Sequence, residues 1–272
     1  MTHFTDKVAV VTGAASGIGR ALSVELARRG AKLAICDVDL HGLAETEALV
    51  RAAGAEVKAD HLDVAQRELV LAYADGVAEH FGGVNMVFNN AGIAFVGNVE
   101  EMSFKDLDRV MDVDFWGVVS GTKAFLPHLI ESGDGHIVNI SSIFGLFSVP
   151  TQSAYNAAKF AVRGFTESLR QEMIITGRPV RVTCVHPGGI KTNIARNGGE
   201  VEGRDHDQLA TSFDKLARTS PEKAAKVILK GVEKNKARVL IGSDAWVLDK
   251  IVRISGPGYA RLTASFSKRN GL

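Results

Sequence analysis

The sequence predicts an α/β fold, a doubly wound seven-stranded parallel sheet in a single domain. Short apolar runs alternate with longer stretches of helical periodicity along most of the 272 residues, and right-handed strand-helix-strand crossovers turn that alternation into a parallel sheet covered on both faces. A glycine-rich loop, Thr12-Gly13-Ala14-Ala15-Ser16-Gly17-Ile18-Gly19, separates the first apolar run from the first helical stretch. Residues able to carry chemistry recur just after the strand runs, where open α/β sheets hold their ligands.

In chain order, Lys7–Thr12 is apolar and β-branched and places a first strand at Val8–Val11, and Gly17–Arg29 has helical periodicity. Strand, loop and helix in that order suit a dinucleotide: glycines permit the tight turn and close approach to pyrophosphate, and the helix dipole favours its charge. The second strand, Lys32–Cys36, ends at Asp37, at the distance expected of an acid that binds the adenosine ribose. A carboxylate there repels an added 2′-phosphate, and neither Ser16 nor Val38-Asp39 supplies a cation to hold one, so NAD is expected in preference to NADP. Arg20, the nearest basic residue, is expected to solvate its helix face. A helix at Leu43–Ala53, a strand at Glu56–Ala59, a helix at Gln66–Phe81 and a strand at Met86–Asn89 follow. Next come a long helix at Ser103–Glu131, a strand at His136–Ser141, a second long helix at Ser153–Ile175 and a strand at Val180–His186. Pro221–Glu233 and Arg238–Ile241 supply the last helix and strand of the alternation.

Downstream of the loop, Ser142, Tyr155 and Lys159 form the pattern S-x(12)-Y-x-x-x-K. A tyrosine titrates near pH ~10 and exchanges a proton slowly at neutrality unless a neighbouring cation lowers its pKa. Residues four apart share a helix face, so Lys159 is placed to do so. Ser142, at the end of the run His136-Ile-Val-Asn-Ile-Ser-Ser142, offers a hydroxyl to a substrate oxygen. A phosphate cradle joined to a tunable phenol points to redox chemistry.

With these motifs in order, the chain from about Asp6 to Gly242 resembles the single-domain branch of the short-chain dehydrogenase/reductase family, whose core is a Rossmann fold. The motifs are Thr12-Gly13-x-x-x-Gly17-x-Gly19, Asp63, Asn89-Asn90-Ala91-Gly92, Ser142, Tyr155 with Lys159, and Pro187-Gly188 followed by Thr192. The resemblance implies that Gly13, Ser16, Gly17, Ile18 and Gly19 cradle the pyrophosphate and that Asp63-Val64 holds the adenine. It implies that Asn90, Ala91 and Gly92 line the adenosine ribose side, and that Ile190 and Thr192, after Pro187-Gly188, hold the nicotinamide carboxamide. Tyr155 becomes the acid, Lys159 the residue that lowers its pKa and holds the nicotinamide ribose, and Ser142 the group that orients the substrate oxygen. One position departs: the family usually has Asn where this chain has Asp114, and that Asn anchors a water linking the lysine to solvent. Asp114 brings a negative charge towards Lys159 and puts the proton relay and the Tyr155 pKa in question.

The chain is long enough for one well-buried domain at 1–242, with 243–272 as a carboxyl-terminal helical extension. With 32 basic against 31 acidic residues there is no basic field to favour nucleic acid. Cys36 and Cys184 fall in strand runs without metal-like spacing, so no metal is expected and reduced core thiols fit a cytoplasmic protein. No apolar run is long enough to cross a bilayer.

Ala94, Phe95, Ile143, Phe144, Phe147, Val149 and Gly188-Gly189 are expected to rim the substrate site, whose apolar character suits a hydrophobic secondary alcohol or ketone. Asn193–Arg218, polar and glycine-containing, has the composition of a mobile lid. In the extension, apolar residues from Trp246 to Phe266 are interleaved with basic ones, a pattern open to packing on the parent domain, on a neighbouring subunit or on a membrane surface. The long helical stretches and the resemblance imply a symmetric homodimer or homotetramer. Two other readings stand beside an NAD-linked alcohol dehydrogenase: an NADPH-linked 3-oxoacyl-type reductase and a catalytically weakened dinucleotide sensor.

Overall fold

The structure, a computed structural model, describes residues 2–192, 194, 199–201 and 217–269. The first strand β1 (Val8–Thr12) is wholly buried, and the chain turns through Gly13 into α1 (Gly17–Arg28). There follow β2 (Lys32–Asp37), α2 (Leu40–Ala52), β3 (Val57–His61), α3 (Arg67–Phe81) and β4 (Met86–Asn89). Beyond a short strand β5 (Phe95–Val96), α4 (Phe104–Met111) passes through a π turn at Asp112–Trp116 into α5 (Gly117–Glu131). Then come β6 (Gly135–Ile140), α6 (Ser153–Thr176), β7 (Val180–Pro187), a short β8 (Gly199–Glu200), α7 (Pro221–Glu233) and β9 (Arg238–Ile241). Two further helices, α8 (Ser243–Ser255) and α9 (Tyr259–Arg269), follow the last strand.

The main sheet has seven parallel strands in the order β3-β2-β1-β4-β6-β7-β9. Strand order reverses between β1 and β4, so a crevice opens at the carboxyl ends of these two strands. Each face of the sheet buries its own apolar layer. Leu22, Leu26, Ile228 and Leu229, from α1 and α7, pack with Val11, Leu33, Ile35 and Phe88. On the other face Val70, Val77, Phe125, Leu129 and Leu169, from α3, α5 and α6, cover Val10, Val87, Ile137 and Val182. This two-sided burial explains why the strands read as continuous apolar runs rather than alternating ones.

Local signals set several boundaries. Asp39 caps α2 by accepting the Gly42 N–H at 3.1 Å, so the helix begins at Leu40, three residues before the Leu43 start expected from periodicity. Ser103 accepts the Asp106 N–H at 3.2 Å to begin α4, and Ser220 caps α7 with Pro221 in its first turn. The expected helix Ser103–Glu131 is two α-helical segments joined end to end through the π turn. The β5–β8 pair forms a small separate parallel sheet that the periodicity does not announce.

A polar network stitches the sheet to its helices. Asn89 donates to Thr122 Oγ1 at 3.1 Å and Asn139 Oδ1 at 2.8 Å, and Asn139 donates to Thr166 Oγ1 at 3.0 Å. Gly121 makes the approach of α5 possible, since a Cβ there would lie 2.2 Å from Asn89 Oδ1. Cys36 and Cys184 are free, and burial pushes both thiols up to about 12, which keeps them protonated and unreactive. Among the described residues no helix is long and apolar enough to cross a membrane.

Candidate active site

The glycine loop is held from three directions. Asn90 donates its side-chain amide to the Thr12 and Gly13 carbonyls at 2.9 and 3.1 Å, while Thr12 Oγ1 accepts the Asn90 and Ala91 N–H groups at 3.0 Å each. Asp37 accepts the Ala15 N–H at 2.8 Å through Oδ2 and the Asp39 N–H at 3.0 Å through Oδ1. Arg20 corrects the expectation of a solvating side chain. It bonds the Ala15 carbonyl, the Gly42 carbonyl at 3.0 Å, Thr46 Oγ1 at 2.9 Å and Glu45 at 2.8 Å, clamping the loop to α2.

Two glycines are indispensable to this geometry. A Cβ on Gly19 would lie 2.0 Å from the Gly13 carbonyl oxygen, and one on Gly13, whose φ is +65°, would lie 2.7 Å from the Ala91 Cα. Ser16, Gly17 and Ile18 remain partly exposed at the amino end of α1, where unpaired N–H groups and the helix dipole favour an anion. Thr192 closes over them, its methyl 3.1 Å from where a Gly17 Cβ would stand.

Around the loop, the Asp63 carboxylate accepts the Ala65 N–H at 3.0 Å, and Val64 is buried against Gly117. Pro187 ends β7, Gly188 donates its N–H to the Ile241 carbonyl at 2.9 Å, and Ile190 is buried beside Thr219. The structure thus brings the residues expected to hold a dinucleotide to the carboxyl ends of the strands. Most of the expected lid, Asn193–Arg218, lies outside the described residues.

The residues expected to carry the chemistry gather at the same end of the sheet. Ser142 follows β6 in an extended conformation; its Oγ accepts the Phe144 N–H at 3.1 Å. That bond leaves the hydroxyl hydrogen free to donate elsewhere. The Ser142 carbonyl accepts Nδ1–H of His186 at 2.8 Å, and burial lowers His186 to about 4, so the imidazole stays neutral and acts as a brace. Tyr155 and Lys159 share one face of α6, with Nζ 5.4 Å from the phenol ring centroid. Lys159 Nζ lies 2.9 Å from Asp114 Oδ2 and donates to the Ile140 carbonyl at 3.3 Å, while its own carbonyl accepts Ser141 Oγ at 2.8 Å.

Asp114, supplied by the π turn, is fully buried and accepts the Ile93 N–H at 2.7 Å. Gly92 faces both charges, because a Cβ there would lie 3.2 Å from Asp114 Oδ2 and 3.3 Å from Lys159 Nζ. Burial opposes the Lys159 charge, but the adjacent Asp114 and Tyr155 outweigh it and raise the ammonium above its ordinary value. For Asp114 burial is the larger influence and raises the carboxyl against the pull of Lys159 and the Ile93 N–H. The expectation of an acidified phenol is corrected in the protein alone. Burial raises Tyr155, Asp114 adds to the rise, and Lys159 with the Ser142 hydroxyl only partly counters them.

The expected apolar rim is also revised. Ile143, Phe147 and Phe95 are buried core residues, whereas Phe144 is half-buried with its ring edge-to-face on Tyr155 at 6.3 Å. Ala94, Phe144 and Val149 remain partly accessible. Arg20 and His186 escape sequence reading because each acts through main-chain carbonyls, which leave no spacing pattern. A polar residue at the end of an apolar strand is the one signal that His186 offers. Among the described residues no group of three His, Cys, Asp or Glu side chains could hold a metal ion.

A glycine-lined crevice beside a Ser, Tyr and Lys cluster defines a class of dinucleotide-dependent fold, and comparison with known proteins makes it specific. Residues 7–202 match the short chain dehydrogenase family, and the chain belongs to that family of oxidoreductases. It is 62% identical over 97% of its length to a Mycobacterium tuberculosis protein named as an oxidoreductase, SadH, of which the alignment covers 96%. It is also 34% identical to dehydrogenase/reductase SDR family member 7B of Mus musculus, over 98% of this chain and 83% of that one. A solved short chain dehydrogenase/reductase from Burkholderia phymatum, in complex with NAD, superposes with a TM-score of 0.89 at 31% identity, covering 96% of this chain and 97% of that one.

The buried charges yield a direct expectation. Asp114→Asn removes the negative charge that helps raise both Lys159 and Tyr155, so the Tyr155–Lys159 pair releases its first proton at lower pH than in the parent. Ultraviolet difference titration of the phenolate, with Tyr155→Phe as reference, reads this; superimposable titrations would show that Asp114 exerts no field on the pair.

Proposed function

We propose that the protein catalyses reversible, NAD-linked interconversion of a hydrophobic secondary alcohol and its ketone. The observation that carries this reading is the convergence of Ser142, Tyr155 and Lys159 beside a glycine loop that leaves no room for a side chain at Gly13 or Gly19. The loop residues fit a dinucleotide: Gly13 and Gly19 clear the approach, Ser16 to Gly19 present α1's amino end, and Asp37, at the end of β2, would accept the adenosine ribose hydroxyls. A nicotinamide dinucleotide bound there supplies the hydride donor or acceptor. In ketone reduction Tyr155 gives its phenolic proton to the substrate oxygen, and in alcohol oxidation the phenolate takes it back. Ser142, its oxygen already occupied by the Phe144 N–H, donates its hydroxyl hydrogen to the same substrate oxygen. Lys159 stabilises the phenolate, and Asp114 holds Lys159 charged. A phenol with a raised pKa keeps its proton near neutrality, which favours reduction there and reserves oxidation for alkaline pH.

Asp37 and Arg20 together support NAD over NADP. The carboxylate repels a 2′-phosphate, and the guanidinium that could pair with one is committed to Ala15, Gly42, Thr46 and Glu45. The partly accessible apolar side chains of Ala94, Phe144 and Val149, with the Phe144 ring edge-to-face on Tyr155, support a hydrophobic substrate. Exposed Phe104, Trp116 and Phe160, at 84%, 44% and 39%, lie along the α4–α5 rod and α6, and they support a symmetric homodimer or homotetramer joined there.

Three measurements test this. Tyr155→Phe lowers turnover by roughly a hundredfold or more while NADH affinity stays within about twofold, because only the proton donor is lost; near-parental turnover removes Tyr155 from the mechanism. Fluorescence titration gives NADH at least about tenfold tighter binding than NADPH, a difference of ~1.4 kcal/mol, and equal binding defeats the cofactor assignment. Light scattering at micromolar concentration returns the mass of a dimer or tetramer; a monomer overturns the assembly proposal.

A further inference from the structure

Beyond β9 the chain returns to the active-site side of the sheet. Asp244, at the start of α8, accepts the Gly189 N–H at 2.9 Å, beside the turn after β7. Ala245, Leu248 and Val252 line the inner face of α8 and pack with Ile143, Leu146 and Phe147, in the segment that follows Ser142. Tyr259 then opens α9, half-buried, with its hydroxyl accepting the Ser148 N–H at 3.1 Å.

Four rings connect this helix to the reactive phenol. Tyr259 meets Phe147 edge-to-face at 6.1 Å, Phe147 meets Phe144 at 5.5 Å, and Phe144 meets Tyr155 at 6.3 Å. Each contact has the edge-to-face geometry that aromatic quadrupoles favour. Phe144 is half-buried, and with its ring against Tyr155 it borders the space that a substrate must enter. Its position depends on Phe147, and Phe147 is held from behind by Tyr259.

We propose that Tyr259 is a positioning residue for substrate selection: by bonding Ser148 and backing Phe147, it sets the place of Phe144 and thereby the width of the apolar entrance beside Tyr155. This rests on the proposed dehydrogenase reading, in which Tyr155 meets the substrate oxygen. The inner face of the extension belongs to the substrate site, and discrimination between short and long apolar substrates depends on residues more than a hundred positions from Ser142 in sequence.

The test uses the full chain with Tyr259→Phe, Tyr259→Ala and, in case the alanine variant unfolds, Tyr259→Leu. Amide exchange by mass spectrometry needs no substrate. Tyr259→Ala speeds exchange of a peptide spanning 143–149 by about tenfold, while one spanning 13–19 is unchanged; Tyr259→Phe, which keeps the ring, gives a smaller rise. With NADH and a series of methyl ketones from 2-butanone to 2-decanone, Tyr259→Ala changes the ratio of KM values between the longest and shortest ketone by about tenfold, with kcat changing less. The Phe variant restores most of the parental ratio. Unchanged exchange at 143–149, or an unchanged KM ratio, overturns the proposal. If the parent turns over none of the ketones, the dehydrogenase reading for this substrate class fails, and the exchange result alone decides whether Tyr259 positions the segment.

Discussion

The candidate active site is organised around a buried ion pair. Asp114 and Lys159 lie 2.9 Å apart with almost no contact with solvent, and burying two charges is tolerated only where geometry and additional hydrogen bonds compensate the lost hydration. Those bonds come from the Ile93 N–H to Asp114 and from Lys159 to the Ile140 carbonyl. The pair therefore ties the chain after β4, the end of β6, the π turn and α6 into one unit. Losing either partner would leave an uncompensated charge, a situation that costs about 3–5 kcal/mol in buried pairs. Gly92 follows from the same constraint, because a Cβ there would crowd both charges.

The pair also links structure to proton chemistry. A lysine beside a tyrosine favours the phenolate, but a lysine already neutralised by an aspartate does so less, and burial of the ring acts in the opposite direction. The two effects of Asp114 cannot be separated in the protein: the carboxylate that keeps the ammonium charged weakens its field at the phenol. The glycine loop stands apart from this balance. The glycine loop is secured by Asn90, Thr12, Asp37 and Arg20, none of which touches the ion pair.

Legibility in the sequence followed physical type. The parallel sheet was readable because strands buried on both faces become unbroken apolar runs, and α7 and β9 begin and end where Pro221, Glu233, Arg238 and Ile241 place them. The Tyr155–Lys159 pairing was readable because four residues separate neighbours on one helix face. Arg20 was misread, since its role is set by carbonyls of two other elements. Phe147 was misread for a related reason: whether an aromatic ring faces solvent or core depends on what covers it, and here the cover comes from Tyr259 and α8. The sequence marked Asp114 as unusual, yet no periodicity revealed the π turn that presents it.

That turn has its own consequence. A π turn accommodates one residue more than the regular helix, so the segments before and after it are rotated relative to an uninterrupted rod. Val110 can face Phe95 and Ala154 while Phe125 and Leu129 face the main sheet, and Asp114 between them points inward beside Lys159. The location of the site's most buried charge is therefore encoded in a residue count as well as in a residue type. Length here is as restrictive as chemistry: a deletion between Met111 and Gly117 that left every acidic residue in place would still swing the carboxylate away from its ammonium.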